Sequence, residues 1–175
     1  MEAFAEIAMT RPATALEPDP AFDAMMSSQR GRLYGIAYSI LHDAGLAEDA
    51  LQDSMVKAWR SWDQLRDENA RNAWLTQITV RQCINRRKFW KLRAAVPLSE
   101  NRDHAALDPR LSGRLVDLDK CYARLSTKQR AAIFLHYHFG YSIEECAPLM
   151  GCSPGSVRTH LHRAIQSLRK GMSHV

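Results

Sequence analysis

The sequence predicts an all-α protein built from two small helical domains joined by a flexible linker and ending in a helix-turn-helix. Successive windows repeat apolar residues at three- and four-residue spacing, whereas Asn-Gly hairpin turns and sustained period-two alternation are missing. Between two such periodic halves, residues 96–111 contain Pro97 and Pro109 without periodicity and read as an interdomain linker. A length of 175 residues suits two small domains.

Residues 1–20 hold three prolines and little periodicity, which predicts a mobile N-terminal tail. A first domain is expected over 21–95. Its opening helix carries Phe22, Met26, Leu33, Ala37 and Ile40 as one stripe, and a second helix runs from about Ala47 to Trp62 with Ala50, Leu51, Ala58 and Trp59. A third begins near Asn72, carries Trp74, Leu75, Ile78 and Ile84, and runs into the basic end Arg86, Arg87, Lys88, Lys91 and Arg93. Cations at a helix C-terminus answer the helix dipole. Interleaved with Trp74, Phe89 and Trp90, they also offer what an unstacked single strand needs, rings beside positive charge. The second helix region has the opposite sign. From Asp43 to Glu68 seven acidic residues stand against Lys57, Arg60 and Arg66, which makes either a protein-docking face or a plainly solvated one.

A second domain is expected over 112–175. Leu115, Leu118, Tyr122 and Leu125 step along one helix, and Ser126 followed by Gln129 signals a capping box for the next, to which Ile133, Phe134 and Tyr137 supply core. Gly140 ends that helix. Ser142 with Glu145 caps another that stops at Gly151, and Ser153 followed by Pro154 opens the last. Two helices joined by a tight glycine-containing turn make a helix-turn-helix. On a helical wheel Val157, Leu161, Ala164, Ile165 and Leu168 share one face of the last helix, and Arg158, Thr159, His162, Arg163, Gln166 and Arg169 share the other. Residues 148–175 contain no acidic residue, so the polar face suits a DNA major groove, where arginine pairs with guanine O6 and N7.

A net charge of +5 and a pI near 9.2 favour an anionic partner. The four cysteines, Cys83, Cys121, Cys146 and Cys152, form no CxxC pair and read as reduced thiols of a cytoplasmic protein. The spacing of Cys146 and Cys152 fits no zinc pattern, so neither a metal nor a cofactor is expected. No apolar stretch approaches the roughly 20 residues that span a bilayer, so direct membrane insertion is not expected. Nucleophile–base pairs and phosphate-cradling glycine loops are missing, which argues against an enzyme.

The strings AEDALQDSMVKAWRSW, AWLTQITVRQCINRRKFWKLR and LSTKQRAAIFLHYHFGYSIEECAPLMGCSPGSVRTHLHRAIQSLRK resemble a bacterial RNA polymerase sigma factor of the extracytoplasmic-function group, sigma-70 family. The resemblance spans about residues 22–93 and 112–170. It implies an initiation factor that binds core RNA polymerase, at the beta-prime clamp helices and the beta subunit, and directs it to promoter DNA. Asp49, Gln52, Asp53 and Trp59 would face polymerase. Trp74, Arg81, Asn85, Arg86 and Arg87, with the loop from about Ser61 to Arg71, would approach the melted minus-10 element. Arg158, Thr159, His162 and Arg163, already on the polar stripe of the wheel, would read the minus-35 element. An anti-sigma factor is a further partner that the resemblance implies. Arg81 stands where relatives often have Asn, so the downstream base preference does not carry over, and Pro148 falls inside the first helix of the turn motif. The chain ends soon after the last helix, so an added regulatory domain is not expected. The alternative is a free-standing helix-turn-helix regulator that binds duplex DNA without polymerase; the acidic helix and the aromatic-basic helix speak against it.

Overall fold

A computed structural model describes residues 19–65, 67, 70–93 and 112–172, with backbone alone for 64, 87–93 and 112–117. Most of the expected tail and the whole of the expected linker lie outside the described residues, as do the side chains of Arg87, Phe89, Trp90 and Leu115.

The first helix, α1, spans Pro20–Leu41. Asp19 caps it, one carboxylate oxygen accepting from the amides of Ala21 at 2.9 Å and Phe22 at 3.4 Å, with proline in the first turn where its missing N–H costs nothing. The helix therefore starts inside the stretch that read as tail. The other Asp19 oxygen receives the indole N–H of Trp62 at 2.6 Å, tying the helix start to a segment 43 residues farther along the chain. All five expected stripe residues are buried, joined by Ile36 and Leu41. His42 closes α1 in a left-handed conformation, φ 57°.

Helix α2 spans Ala44–Arg60, three residues earlier than the periodicity suggested, because Asp43 accepts from the Leu46 amide at 2.8 Å and caps it there. Ala47, Ala50, Leu51, Ser54 and Ala58 face inward. A 3-10 turn, Trp62–Gln64, follows. Helix α3, Arg71–Arg93, packs against both α1 and α2 to complete a three-helix unit.

The second half begins with α4, Ser112–Ala123. Leu118 is 41% exposed rather than core, and Leu125 is buried from the turn just past the helix. Helix α5, Thr127–Ile133, has the expected capping box: Ser126 Oγ accepts from Gln129 N at 3.3 Å while Gln129 Oε1 accepts from Ser126 N at 2.7 Å. It runs into a π turn, Phe134–His138, closed by Phe139 N donating to Phe134 O at 3.3 Å. That wider turn rotates the following side chains, so Leu135 takes the core position expected of Tyr137, which is 64% exposed. Gly140 then reverses the chain at φ 72°. Helix α6, Ile143–Met150, repeats the capping box with Ser142 and Glu145 and stops at Gly151, φ 66°. The Glu145 carboxyl sits below its ordinary range because the Ser142 amide and hydroxyl donate to it.

Helix α7, Pro154–Met172, completes the helix-turn-helix and packs on α4, α5 and α6. The halves do not stand apart: α5 lies on α1 and α3, α6 lies on α3, and buried residues of both halves form one cluster, from Leu33, Ile36 and Ile40 to Leu135, Cys146 and Leu149. The four cysteines are free thiols, three of them buried; burial pushes the Cys83 thiol up to about 12. Among the described residues no helix is long and apolar enough to cross a membrane, and no group of three or more His, Cys, Asp or Glu side chains is placed to hold a metal ion.

Helices α4 and α7 meet where Gly171 faces Cys121, and a Cβ on residue 171 would run into the Cys121 sulfur. Gly171→Ala is therefore expected to cost roughly 1–3 kcal/mol in urea unfolding, with Cys121→Ala in the same chain recovering part of the loss. Additive losses in the double variant would contradict this packing.

Candidate nucleic-acid and polymerase interface

Helix α7 owes its orientation to one apolar edge. Val157, Leu161 and Ala164 are buried and Ile165 and Leu168 half-buried, which turns Arg158, Thr159, His162, Arg163, Gln166 and Arg169 to the outside. At its start Ser153 Oγ accepts from Ser156 N at 3.2 Å, leaving the first turn at the surface beside Arg158 and Thr159. Arg158 Nη2 donates to Glu144 of α6 at 3.0 Å, a pair in which both side chains are more than half exposed. Thr159 Oγ1 bonds back to Gly155 O at 2.9 Å, and His162 and Gln166 share a 2.9 Å contact along the helix. His160, half-buried, is held below its ordinary pKa by burial and then by Lys128 and Arg163, so it adds no charge here at neutral pH. The result is an exposed basic stripe on a helix anchored from behind.

The first half carries the other expected residues. Asp49 and Asp53, one turn apart on α2, both bind the guanidinium of Arg86 on α3, Asp49 at 2.8 Å through Nη2 and Asp53 through Nη1. Groups expected to face different partners, polymerase and DNA, thus form one network. Gln52 and Asn85 are exposed beside it. Trp59 rests edge-on against Phe22, centroids 4.9 Å apart, so part of its ring serves the core. Trp74 is likewise half-buried against the core. The acidic run is partly internal bookkeeping of charge: Asp43 is a cap, and Glu48 pairs with Arg30 of α1 at 2.8 Å. Arg81 does not point to open solvent. Its Nη2 donates to the carbonyl of Pro148 in α6 at 2.9 Å, and Gln77 Nε2 donates to the same oxygen at 3.0 Å.

Sequence reasoning missed Gln77, Glu144 and Arg130. Arg130 carried a readable signal, because it lies three residues after Thr127 and beside Ala131 on the buried side of α5.

These two surfaces fall in segments that match two family models, "Sigma-70 region 2" over residues 25–89 and "Sigma-70, region 4" over residues 115–168. The chain belongs to the sigma-70 family, extracytoplasmic-function group. The sigma factor is 29% identical over 144 residues to the ECF RNA polymerase sigma factor SigM of Mycobacterium tuberculosis, covering 82% of this chain and 73% of SigM. It is 26% identical over 166 residues to the RNA polymerase sigma-H factor of Pseudomonas aeruginosa, covering 87% and 86%. Among solved structures it resembles the sigma factor RpoE of Bartonella quintana, crystallised with the anti-sigma factor NepR, at a TM-score of 0.63 and 25% identity over 87% of this chain and 97% of that one. The fold also matches CnrH, solved with the cytosolic domain of CnrY, at a TM-score of 0.57 and 24% identity over 88% of each chain. As a sigma factor it directs core RNA polymerase to promoter DNA and is not itself an enzyme.

The Arg86 network joins α2 to α3 through partly exposed groups, so its contribution is modest. Arg86→Ala is expected to cost about 1 kcal/mol in urea unfolding, with the difference from wild type shrinking at 1 M salt. A loss that salt leaves untouched would show that Arg86 acts through packing instead.

Proposed function

We propose that the helix-turn-helix, expected as a domain over 112–175, reads the minus-35 duplex through Arg158, Thr159, His162 and Arg163. The observation that carries this reading is the basic stripe of α7, exposed along its length while the opposite edge is buried. An exposed pair such as Arg158–Glu144 contributes little, so Arg158 can exchange a carboxylate for a guanine edge at small cost.

In this reading the first domain, over 21–95, meets core polymerase through Asp49, Gln52, Asp53 and Trp59, and receives the melted minus-10 strand along α3, at Trp74, Arg81, Asn85, Arg86 and Arg87. Residues 96–111 join the two. The sigma factor works in the cytoplasm, where polymerase and promoters are. An anti-sigma factor holds it inactive; similarity to an RpoE crystallised with an anti-sigma factor supports that partner. A free-standing repressor would have no use for the acidic α2 face.

Transcription by core polymerase from a matched promoter, with and without the protein, tests the assignment: output is expected only with it. Replacing Arg158 or Arg163 by Ala is expected to weaken discrimination between the matched promoter and one with an altered minus-35 element by about 1–3 kcal/mol. Unchanged promoter preference in both variants would remove these arginines from the readout.

A further inference from the structure

We infer that the free sigma factor is closed by its own C-terminal domain through a latch built on Arg130, and that this closure covers the Arg81 side of α3 until it is released. The second clause rests on the proposed role of α3 in taking a single strand.

Arg130 is 1% exposed, on α5 of the C-terminal half. Its Nη1 donates within that half to Ala123 O at 3.2 Å and Leu125 O at 3.0 Å. Its Nε and Nη2 cross to the other half and donate to Ile40 O at 2.7 Å and Leu41 O at 3.1 Å, the last carbonyls of α1. Those carbonyls have no helical partner of their own, and the negative end of the α1 dipole favours a cation there. The arginine is shaped for this task, since its planar fork holds several donors at fixed angles.

Other contacts across the same seam agree with it. Tyr122 of α4 donates its hydroxyl to Ser39 O at 3.1 Å, and burial pushes that phenol up to about 12, so it stays a donor throughout the physiological range. His42 and Asp119 approach to 3.5 Å. Arg32 of α1 donates to Thr76 at 2.9 Å and lies 5.3 Å from the centre of the Phe139 ring in the C-terminal half. Farther along, Gln77 and Arg81 hold the Pro148 carbonyl, and the Arg81 guanidinium lies alongside Gly151. A buried guanidinium, a half-buried phenol and a shared apolar core describe a built seam rather than a chance touch.

The seam is incompatible with simultaneous use of both surfaces. Elements named minus-35 and minus-10 lie about 25 base pairs apart, or about 85 Å of duplex at 3.4 Å per step. A closed 175-residue body has a radius of gyration of about 16 Å and a diameter near 40 Å. Reading both therefore requires α6 and α7 to leave α3. In the closed form α7 keeps its stripe exposed, whereas Arg81 and Gln77 are engaged with α6. Closure should thus mask single-strand binding and spare duplex binding.

The experiment uses the full chain without polymerase. Two openings are made: Arg130→Met, and Tyr122→Phe with His42→Ala, the second leaving the Arg130 bonds inside the C-terminal half intact. Small-angle scattering gives the radius of gyration. Fluorescence anisotropy gives affinity for a labelled single strand carrying the minus-10 element of a promoter the protein transcribes, and for a duplex carrying its minus-35 element. The expected result is a compact wild type, expansion in both variants, single-strand affinity raised about tenfold as the competent population grows, and duplex affinity unchanged. An extended wild type, or two folded variants that stay compact, would overturn the latch; expansion without tighter single-strand binding would overturn the masking. Failure of the proposed function would look different, as an absence of promoter-directed transcription by wild type and opened variants alike.

Discussion

Helices α1 and α4 end within reach of one another, and one buried guanidinium answers the open carbonyls at both ends. Because Arg130 sits in α5, directly after a capping box that fixes the start of that helix, its position transmits the end of α1 to the whole helix-turn-helix. An apolar side chain of similar volume could fill the space but would leave the carbonyls of Ile40 and Leu41 buried without a donor. Each such loss costs about 1–3 kcal/mol. Packing alone would permit several ways of setting α5 on α1, but a fork aimed at four named oxygens permits one.

Helix α3 is the counterpart of this constraint, since it must face both halves. Leu75, Thr76, Ile78, Thr79, Val80 and Cys83 are all buried, an arc broader than one stripe. Its two threonines fit such a position because their hydroxyls bond back to the carbonyls of Asn72 at 2.8 Å and Leu75 at 2.9 Å, leaving methyl groups to pack. One side of the arc meets α1 and α2, the other α5 and α6. Among the described side chains of α3, Asn72, Ala73 and Asn85 are exposed, and next to Asn85 Arg86 finds Asp49 and Asp53.

Features set within a turn or two of helix were legible in the sequence. Both capping boxes, the stops at Gly140 and Gly151, and the two faces of α7 needed only neighbours three or four residues away. Features set by distant partners were not. The π turn at 134–138 exchanged Leu135 for Tyr137, because helical spacing assumes a regular period. Leu118 fits the stripe of α4 but is left 41% exposed by the described residues around it. Asp19 and Pro20 carried a cap signal that low periodicity around them obscured. Two domains and a linker described the chain's order correctly, while the seam between the halves depended on contacts some 90 residues apart, Arg130 with Ile40 among them. Likewise α2 read as acidic and α3 as basic, but only the fold brings Arg86 onto Asp49 and Asp53.

Burial also separates cations that hold the molecule together from cations that can serve a partner. Arg158 and Arg86 are paired with carboxylates at the surface, where water and salt weaken each pair to about 1 kcal/mol or less, and a phosphate-rich partner gains more by releasing its counterions. Such arginines are held in place yet remain exchangeable. Arg130 is the opposite case, since it is 1% exposed and its bonds to Ile40 and Leu41 break only if α5 moves away from α1. Arg81 lies between these extremes: its carbonyl partner is neutral and therefore easily outbid by a phosphate, but that carbonyl belongs to α6, so the exchange cannot happen side chain by side chain. The energetic barrier to using Arg81 is set less by its own hydrogen bond than by everything else that keeps α6 against α3.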